Sequence, residues 1–389
     1  MDKHMKIGEF SDSFLPIVDG VGRVVYNYCD TIARKGYEVT AVVPLDKFGY
    51  RGRFPFEIID YYSHSLPLMK QYDAGLPSID LHYNARLKMT DFDIVHVHTP
   101  FIAGNEGIKY AKERNIPLVG TFHSKYYDDF LQITGSRHIA GLGTDIIVKF
   151  YDQCDEVWAV SESSAKTLND YGYKGKVEVM PNGMMITEPD PEWKQLAKEH
   201  FNIDDDPCLL YVGQMNWKKN ILRILEAAAM LKKDGIKFNL IMAGKGPHEE
   251  EIKDKIKELG LEEDAYLVGH VLKEDLLTGL YMLADLFVFP SIYDNGPMVV
   301  REAANAGTPS VVTAGSSAAE GIDDGVNGFC CGDSSEGVYE TVKKALSDLE
   351  ATARIGLQAK ETIPVAWDEI IDMVIDRYQY LIDRRKGLL

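Results

Sequence analysis

Residues 290–309 read PSIYDNGPMVVREAANAGTP, and this stretch decides the reading of the whole chain. It begins where an apolar run, Leu286 to Phe289, ends, turns through Asn295-Gly296-Pro297, and enters a helical pattern over Val299 to Ala306. A β-branched or aromatic run, a Gly/Pro turn and then a helix is one βα unit of a parallel sheet. The first N–H groups of that helix, those of Met298 and Val299, have no partner inside it and point toward any anion placed there. Asp294 in the turn and Glu302 in the helix stand eight residues apart, so two carboxylates flank the same helix end. Ionised carboxylates accept strong hydrogen bonds from hydroxyls, so the pattern suits a ligand carrying sugar hydroxyls on either side of a phosphate.

Working outward, the same alternation recurs on both sides. In the second half, strands are expected at Leu209–Val212, Phe238–Ala243, Ala265–Val268, Leu286–Phe289 and Ser310–Val312, with helices at Asn220–Lys232 and Pro247–Leu259. The first half carries strands at Lys6–Phe10, Glu38–Val43, Ile94–His98, Leu118–Phe122 and Glu156–Val160, with a helix at Gly22–Lys35. Between Pro44 and Asp91 the periodicity weakens, and the segment reads as a variable loop region. The tripeptide Pro181-Asn182-Gly183 and the polar run that follows mark a break. The fold class is therefore α/β, two doubly wound domains facing across a cleft: 1–184, 185–365, and a final helix from about Trp367 to Arg384 within 366–389 that crosses back to the first domain.

Length and composition bound the function. A chain of 389 residues with 45% hydrophobic and 26% charged residues is long enough for two ordinary cores. Its 42 basic and 60 acidic residues give a net charge of −18, which argues against a general nucleic-acid partner. The five cysteines never stand as C-x-x-C, so neither a disulfide framework nor a zinc ribbon is expected, and a reducing, cytoplasmic setting fits. No run approaches the roughly 18 apolar residues of a spanning helix, so membrane contact is expected to be peripheral. Gly20 and Gly22, just ahead of the first helix, are small enough to let backbone N–H groups approach a phosphate. Asp91-Phe92-Asp93 spells a D-x-D, but it precedes a strand, at the wrong end of the sheet for a ligand, and reads as a solvated turn; no metal is expected.

Taken in order, DGVGRV at 19–24, FDIVHVHTP at 92–100, GTFHS at 120–124, VWAVSES at 157–163, MPNG at 180–183, YVGQ at 211–214 with KKN at 218–220, AGKGP at 243–247, the 290–309 stretch and AWDE at 366–369 resemble the family-4 retaining glycosyltransferases. The resemblance spans nearly the whole chain. It implies the GT-B fold, two Rossmann-like domains, a nucleotide-sugar donor and no cofactor. By position it makes Gly20 the glycine near the donor diphosphate and Lys219 the lysine that neutralises it. It sets Asp294 at the donor sugar hydroxyls, Glu302 at the ribose diol, the amides of Met298 and Val299 at the phosphate, and His123 facing the transferred sugar. The base falls to backbone groups of the region from Gly244 to Val271. Within the HVH strand, His96 and His98 are read mostly as scaffold. Two departures stand out. Gln214 occupies a position where the family carries an arginine, leaving Lys218, Lys219 or Arg301 to compensate, and the first glutamate is shortened to Asp294. These changes mark either an altered donor preference or lost catalysis. The expected activity is transfer of a hexose, glucose from a UDP-sugar, to a lipid or saccharide acceptor. A partner that binds a nucleotide sugar without transferring it is the alternative. Aromatics and cations at 50–56, 65–70 and 126–130 are the expected peripheral membrane contact.

Overall fold

The fold is that of a computed structural model, which describes residues 5–15, 20–45, 53–66 and 69–389. The chain divides into two compact units, Met1–Gly183 with Trp367–Leu389, and Met184–Ala366.

The first unit runs β1 (Lys6–Phe10), α1 (Gly20–Arg34), β2 (Glu38–Pro44), β3 (Glu57–Tyr61), β4 (Ser63–Leu66), β5 (Met69–Gly75), α2 (Leu81–Met89), β6 (Ile94–Val97), α3 (Ile102–Arg114), β7 (Leu118–Phe122), α4 (Tyr126–Thr134), α5 (Arg137–Tyr151), β8 (Glu156–Ala159), α6 (Glu162–Asp170) and β9 (Val177–Val179). Seven strands pair in parallel in the order β3-β2-β1-β6-β7-β8-β9. The central strands are buried on both faces, as a sheet covered by helices on each side requires. β1, for instance, is buried at every residue after Lys6. The chain order reverses between β1 and β6, which places a topological switch point beyond Phe10 and Val97. The expectation of a loop region from Pro44 to Asp91 is corrected here. β3 extends the sheet beside β2, β4 and β5 form an antiparallel hairpin, and α2 is capped by Asp80, whose carboxylate accepts from Tyr83 N.

The second unit holds α7 (Glu192–Phe201), β10 (Cys208–Val212), α8 (Ile221–Lys233), β11 (Asn239–Ala243), α9 (Glu249–Glu258), β12 (Ala265–Gly269), α10 (Glu274–Leu283), β13 (Leu286–Phe289), α11 (Met298–Asn305), β14 (Ser310–Thr313), β15 (Phe329–Cys331), α12 (Ser335–Leu346) and α13 (Leu349–Thr362). Its six-stranded parallel sheet, β12-β11-β10-β13-β14-β15, reverses order between β10 and β13. Side-chain caps start several helices, Ser334 on α12 and Asp348 on α13 among them.

The last helix, α14 (Trp367–Arg385), belongs to the first unit. Its buried stripe Ile370, Ile371, Val374, Ile375, Tyr378, Leu381 and Ile382 recurs at helical spacing, and it packs against α1. Arg377 locks it to Glu156 at the start of β8 through contacts of 2.5–3.0 Å.

Candidate active site

Each unit gathers candidate residues near its own switch point. In the second unit the loops after β10, β11 and β12 interlace by backbone bonds. Gly213 N donates to Ala243 O at 3.0 Å, Gly244 N to Gly269 O at 2.7 Å, and Met215 N to Lys245 O at 3.2 Å. Gly244 sits at φ +141°, and a Cβ there would lie 1.8 Å from Gly213 O, so only glycine fits. Val271, in the loop after β12, is half-buried against the same core. Gln214 is exposed just beyond β10, and its carbonyl accepts from Tyr211 Oη at 2.9 Å.

Lys219 and Asp294 straddle the β10/β13 switch point. A short 3-10 turn, Trp217–Lys219, is capped by the Asn216 side chain, and Asn220 follows in the left-handed region at φ 58°. Asn220 Nδ2 donates to Pro290 O at 2.8 Å, which ties the loop after β10 to the loop after β13. That brings Lys219 Nζ to 2.5 Å from Asp294 Oδ1, with the two side chains only 13% and 18% exposed. Ser291 Oγ donates to Asp294 Oδ2 at 2.5 Å, and the Ser317 hydroxyl donates to the Asp294 carbonyl. The cation expected at a phosphate and the carboxylate expected at sugar hydroxyls thus hold each other, and both charges are kept in place by this pairing. Lys218 and Lys219 also lie over the Tyr293 ring, at 5.0 and 5.3 Å from its centre.

Met298 and Val299 open α11, and Pro297, which precedes them, supplies no side-chain cap to their N–H groups. Glu302 accepts from Tyr281 Oη at 2.9 Å. Burial first, and Glu302 second, push the Tyr281 hydroxyl well above its usual range, so it stays a donor. Arg301 Nη1 is buried and has no hydrogen-bond partner among the described residues. Burial pulls its guanidinium below the usual value while Glu320 opposes. A largely desolvated guanidinium of this kind is a ready receiver of an anion.

The first unit gathers a second cluster, in which His123, expected at the transferred sugar, meets His96 and His98, expected mostly as scaffold, and Glu9, which the motifs do not single out. His123 follows β7 directly and is buried, and its Nε2 lies 3.1 Å from His98 Nδ1. His98 Nε2 lies 2.7 Å from Glu9 Oε2. Glu9 Oε1 accepts from Tyr378 Oη of α14 at 3.0 Å. His96 Nδ1 is 2.5 Å from that hydroxyl, and its Nε2 is 2.6 Å from Thr121 Oγ1. Burial alone would raise the Glu9 carboxyl, but His96 and then His98 more than offset it and hold it down at about 2. Burial pulls His96 down to about 4, and it carries His123 well below the usual histidine range. The cluster therefore sets one buried anion beside two rings, His96 and His123, that burial keeps from taking up a proton. The signal for it was a glutamate inside a strand covered on both faces, where no charge is expected without a partner.

Glu9, His96 and His98 are also of metal-ligating type, with ligand atoms within 4.8 Å of one another. They do not fit an ion. Glu9 Oε2 and His98 Nε2 are 2.7 Å apart, a hydrogen-bond separation, whereas two ligands of a tetrahedral ion with bonds near 2 Å stand about 3.3 Å apart. Asp93 likewise serves structure: its carboxylate accepts from Lys6 N at 2.9 Å, tying together the amino ends of β1 and β6.

Gly20 is the exposed first residue of α1, and no described residue comes within 4 Å of where a Cβ would stand. Of the segments expected at a membrane, 126–130 is described in full and 50–56 in part. Residues 50–52 and 67–68 lie outside the described residues. Phe54 and Phe56 stack at 5.2 Å and pack on Phe14 and Tyr26, while Tyr126 and Phe130 join the core. Exposed apolar surface lies elsewhere, on Ile133 of α4 and on Ile139, Leu142 and Ile146 of α5, each 50–64% exposed.

Among the described residues, no helix is long and apolar enough to cross a membrane. A family model described as Glycosyltransferase Family 4 matches residues 18–187, and one described as Glycosyl transferases group 1 matches residues 194–362. An alpha-monoglucosyldiacylglycerol synthase of Streptococcus pneumoniae is 26% identical over 340 residues, covering 79% of this chain and 70% of that protein. A GDP-mannose-dependent alpha-mannosyltransferase of Corynebacterium glutamicum is 24% identical over 336 residues, covering 84% and 76%. Among solved structures, the Anabaena protein HepE in complex with UDP and glucose superposes with a TM-score of 0.75 at 17% identity, over 97% of this chain and all of that one (100%).

Proposed function

We propose, from the premise that the chain belongs to the family-4 glycosyltransferases of the GT-B fold, that it moves a glucosyl group from UDP-glucose to a lipid hydroxyl with retention of configuration. The observation that carries the reading is the Lys219–Asp294 pair at the β10/β13 switch point, beside the uncapped start of α11. A diphosphate entering there takes Lys219 Nζ from Asp294, together with the amides of Met298 and Val299, and releases the Asp294 carboxylate to accept sugar hydroxyls. Glu302 takes the ribose diol, oriented by Tyr281. Backbone groups from Gly244 to Val271 take the base. The Arg301 guanidinium supplies the charge that Gln214 lacks.

In the reaction the acceptor oxygen attacks the anomeric carbon on the face from which the diphosphate leaves. The carbon–oxygen bond to phosphate breaks, and a leaving-group oxygen takes the acceptor's proton. Lys219 and the helix amides stabilise the charge that builds on the diphosphate, a role that needs no metal. His123 is assigned to a hydroxyl of the transferred sugar and Gly20 to the diphosphate.

The lipid acceptor, and with it a peripheral membrane contact, is supported by the diacylglycerol named in the streptococcal relative and by the exposed Ile139, Leu142 and Ile146 stripe of α5, which Arg137 and Lys149 flank. A nucleotide-sugar-binding partner without transferase activity is the second reading, favoured by Gln214 standing exposed in place of an arginine. A thermal-shift screen against UDP, GDP, ADP and their sugar conjugates tests the donor site, because a ligand of the folded state alone raises its stability. The expected result is a shift with UDP and UDP-glucose that Lys219→Ala and Glu302→Ala abolish. A shift with GDP-mannose alone replaces the donor, and no shift with any of them removes the site.

A further inference from the structure

The Glu9 cluster fixes more than packing. Glu9 faces His96 and His98 from β6, Tyr28 and Cys29 from α1, and Tyr378 from α14, and His98 links it to His123 after β7. It is the one carboxylate among these groups, and an ionised carboxylate only accepts hydrogen bonds. His98 Nε2 at 2.7 Å must therefore carry a proton and donate it. In a neutral His98 the lone pair then lies on Nδ1, so His123 Nε2 at 3.1 Å must be the donor of that bond. A neutral His123 is left with its lone pair on Nδ1. The other branch follows the same rule. Tyr378 Oη donates to Glu9 Oε1, so His96 Nδ1 donates to Tyr378, and His96 Nε2 accepts from Thr121 Oγ1.

We propose that Glu9 is a positioning residue for His123: acting through His98, it holds the His123 proton on Nε2 and makes Nδ1 a hydrogen-bond acceptor. The inference rests on the assignment of His123 to a sugar hydroxyl for its consequence, but its geometry stands without it. A ring that accepts binds the hydroxyl through its proton and raises electron density on that oxygen, whereas a ring that donates does the opposite. Adding a proton to His98 reverses the chain, since both its nitrogens then donate and His123 Nε2 must accept. The buried anion disfavours the alternative neutral tautomer, in which a lone pair on His98 Nε2 would face a carboxylate lone pair at hydrogen-bond distance.

The test is ¹⁵N NMR of the full chain labelled at its histidines, of which there are ten, with the His123 signals assigned by their loss in His123→Gln. No ligand is required. The wild-type protein is expected to show His123 protonated at Nε2, and Glu9→Gln to lose that single tautomer. Tyr378→Phe, which removes a bond to the other carboxylate oxygen, is expected to keep the tautomer while lowering the melting temperature. With UDP-glucose and diacylglycerol vesicles as probes, Glu9→Gln is expected to lower kcat about 10- to 100-fold with KM changed less than about twofold, the size seen for groups that orient a functional ring. A wild-type proton on Nδ1, a tautomer untouched by Glu9→Gln, equal effects of Glu9→Gln and Tyr378→Phe, or stoichiometric zinc in the purified protein would each overturn the proposal. Full transfer activity in His123→Ala would overturn the assignment of His123 to the sugar, and the NMR result distinguishes that failure from the first.

Discussion

Acidification probes the buried histidines directly. His96 has an ordinary value of 6.5 and about 4 in the folded protein, because burial disfavours its charged form. The sign follows from proton counting. Below pH 6.5 the unfolded chain binds a proton on His96 that the folded chain does not, so stability is full above that value and falls as pH drops toward 4. Between pH 7 and pH 5 the window spans about 1.5 pKa units at roughly 1.4 kcal/mol each, a loss of about 2 kcal/mol. His123, also held low, adds in the same direction. Glu9, held at about 2 against an ordinary 4.5, adds to the loss mainly below about pH 4.5, so it contributes little in this window. For a unit of this size, about 2 kcal/mol corresponds to a fall of roughly 4–8 °C in melting temperature. Calorimetry at the two pH values reads the total. Near-ultraviolet circular dichroism reads it locally through Trp158, whose ring lies 5.1 Å from His96 and stacks on Tyr378 at 5.6 Å. Replacement of His96 by Gln removes this titration, so the variant should lose less on acidification than the wild type. Equal losses in the two proteins would refute the reasoning.

Three further outcomes follow from the second unit. Lys219→Met leaves Asp294 without its cation and should weaken UDP binding about 10- to 100-fold by calorimetric titration, the worth of one charge-assisted bond. Gln214→Arg adds an exposed cation beyond β10 and should tighten UDP about two- to fivefold, since an exposed charge contributes up to roughly 1 kcal/mol. Gly244→Ala forces a Cβ onto Gly213 O at a φ that L residues rarely adopt, and should cost more than about 2 kcal/mol in denaturant unfolding while leaving the first-unit signal at Trp158 in place.

Much of this architecture is written in local pattern. β7 and β13 are short, mostly apolar runs, and α14 shows an apolar stripe from Ile370 to Ile382, so their periodicity survives in the bare sequence. The segment from Pro44 to Asp91 is harder to read for physical reasons. β3, where only Ile59 and Tyr61 are buried, lies at the sheet edge and is only half covered. β4 and β5 are polar strands that, among the described residues, pair with each other alone, so neither carries an apolar run. β9 and β15 are three residues long, too short for any period. At the site, Lys219, Asp294 and Glu302 are legible because turn and helix chemistry is local. Their mutual pairing is not, because it depends on Asn220 reaching Pro290 across the switch point. Glu9 hides for a different reason. Its partners are 87, 89 and 369 residues away, and only the folded sheet and α14 bring them to one place.

The central claim is a hexosyl transfer run from the Lys219–Asp294 site. The most direct measurement incubates the full chain with UDP-glucose and diacylglycerol vesicles, then reads UDP release and the anomeric configuration of the product by NMR. The account predicts one UDP released per α-linked glucosyl lipid formed, and neither product from Lys219→Met. A β-linked product, or no UDP release from any nucleotide sugar that the protein binds, would contradict it.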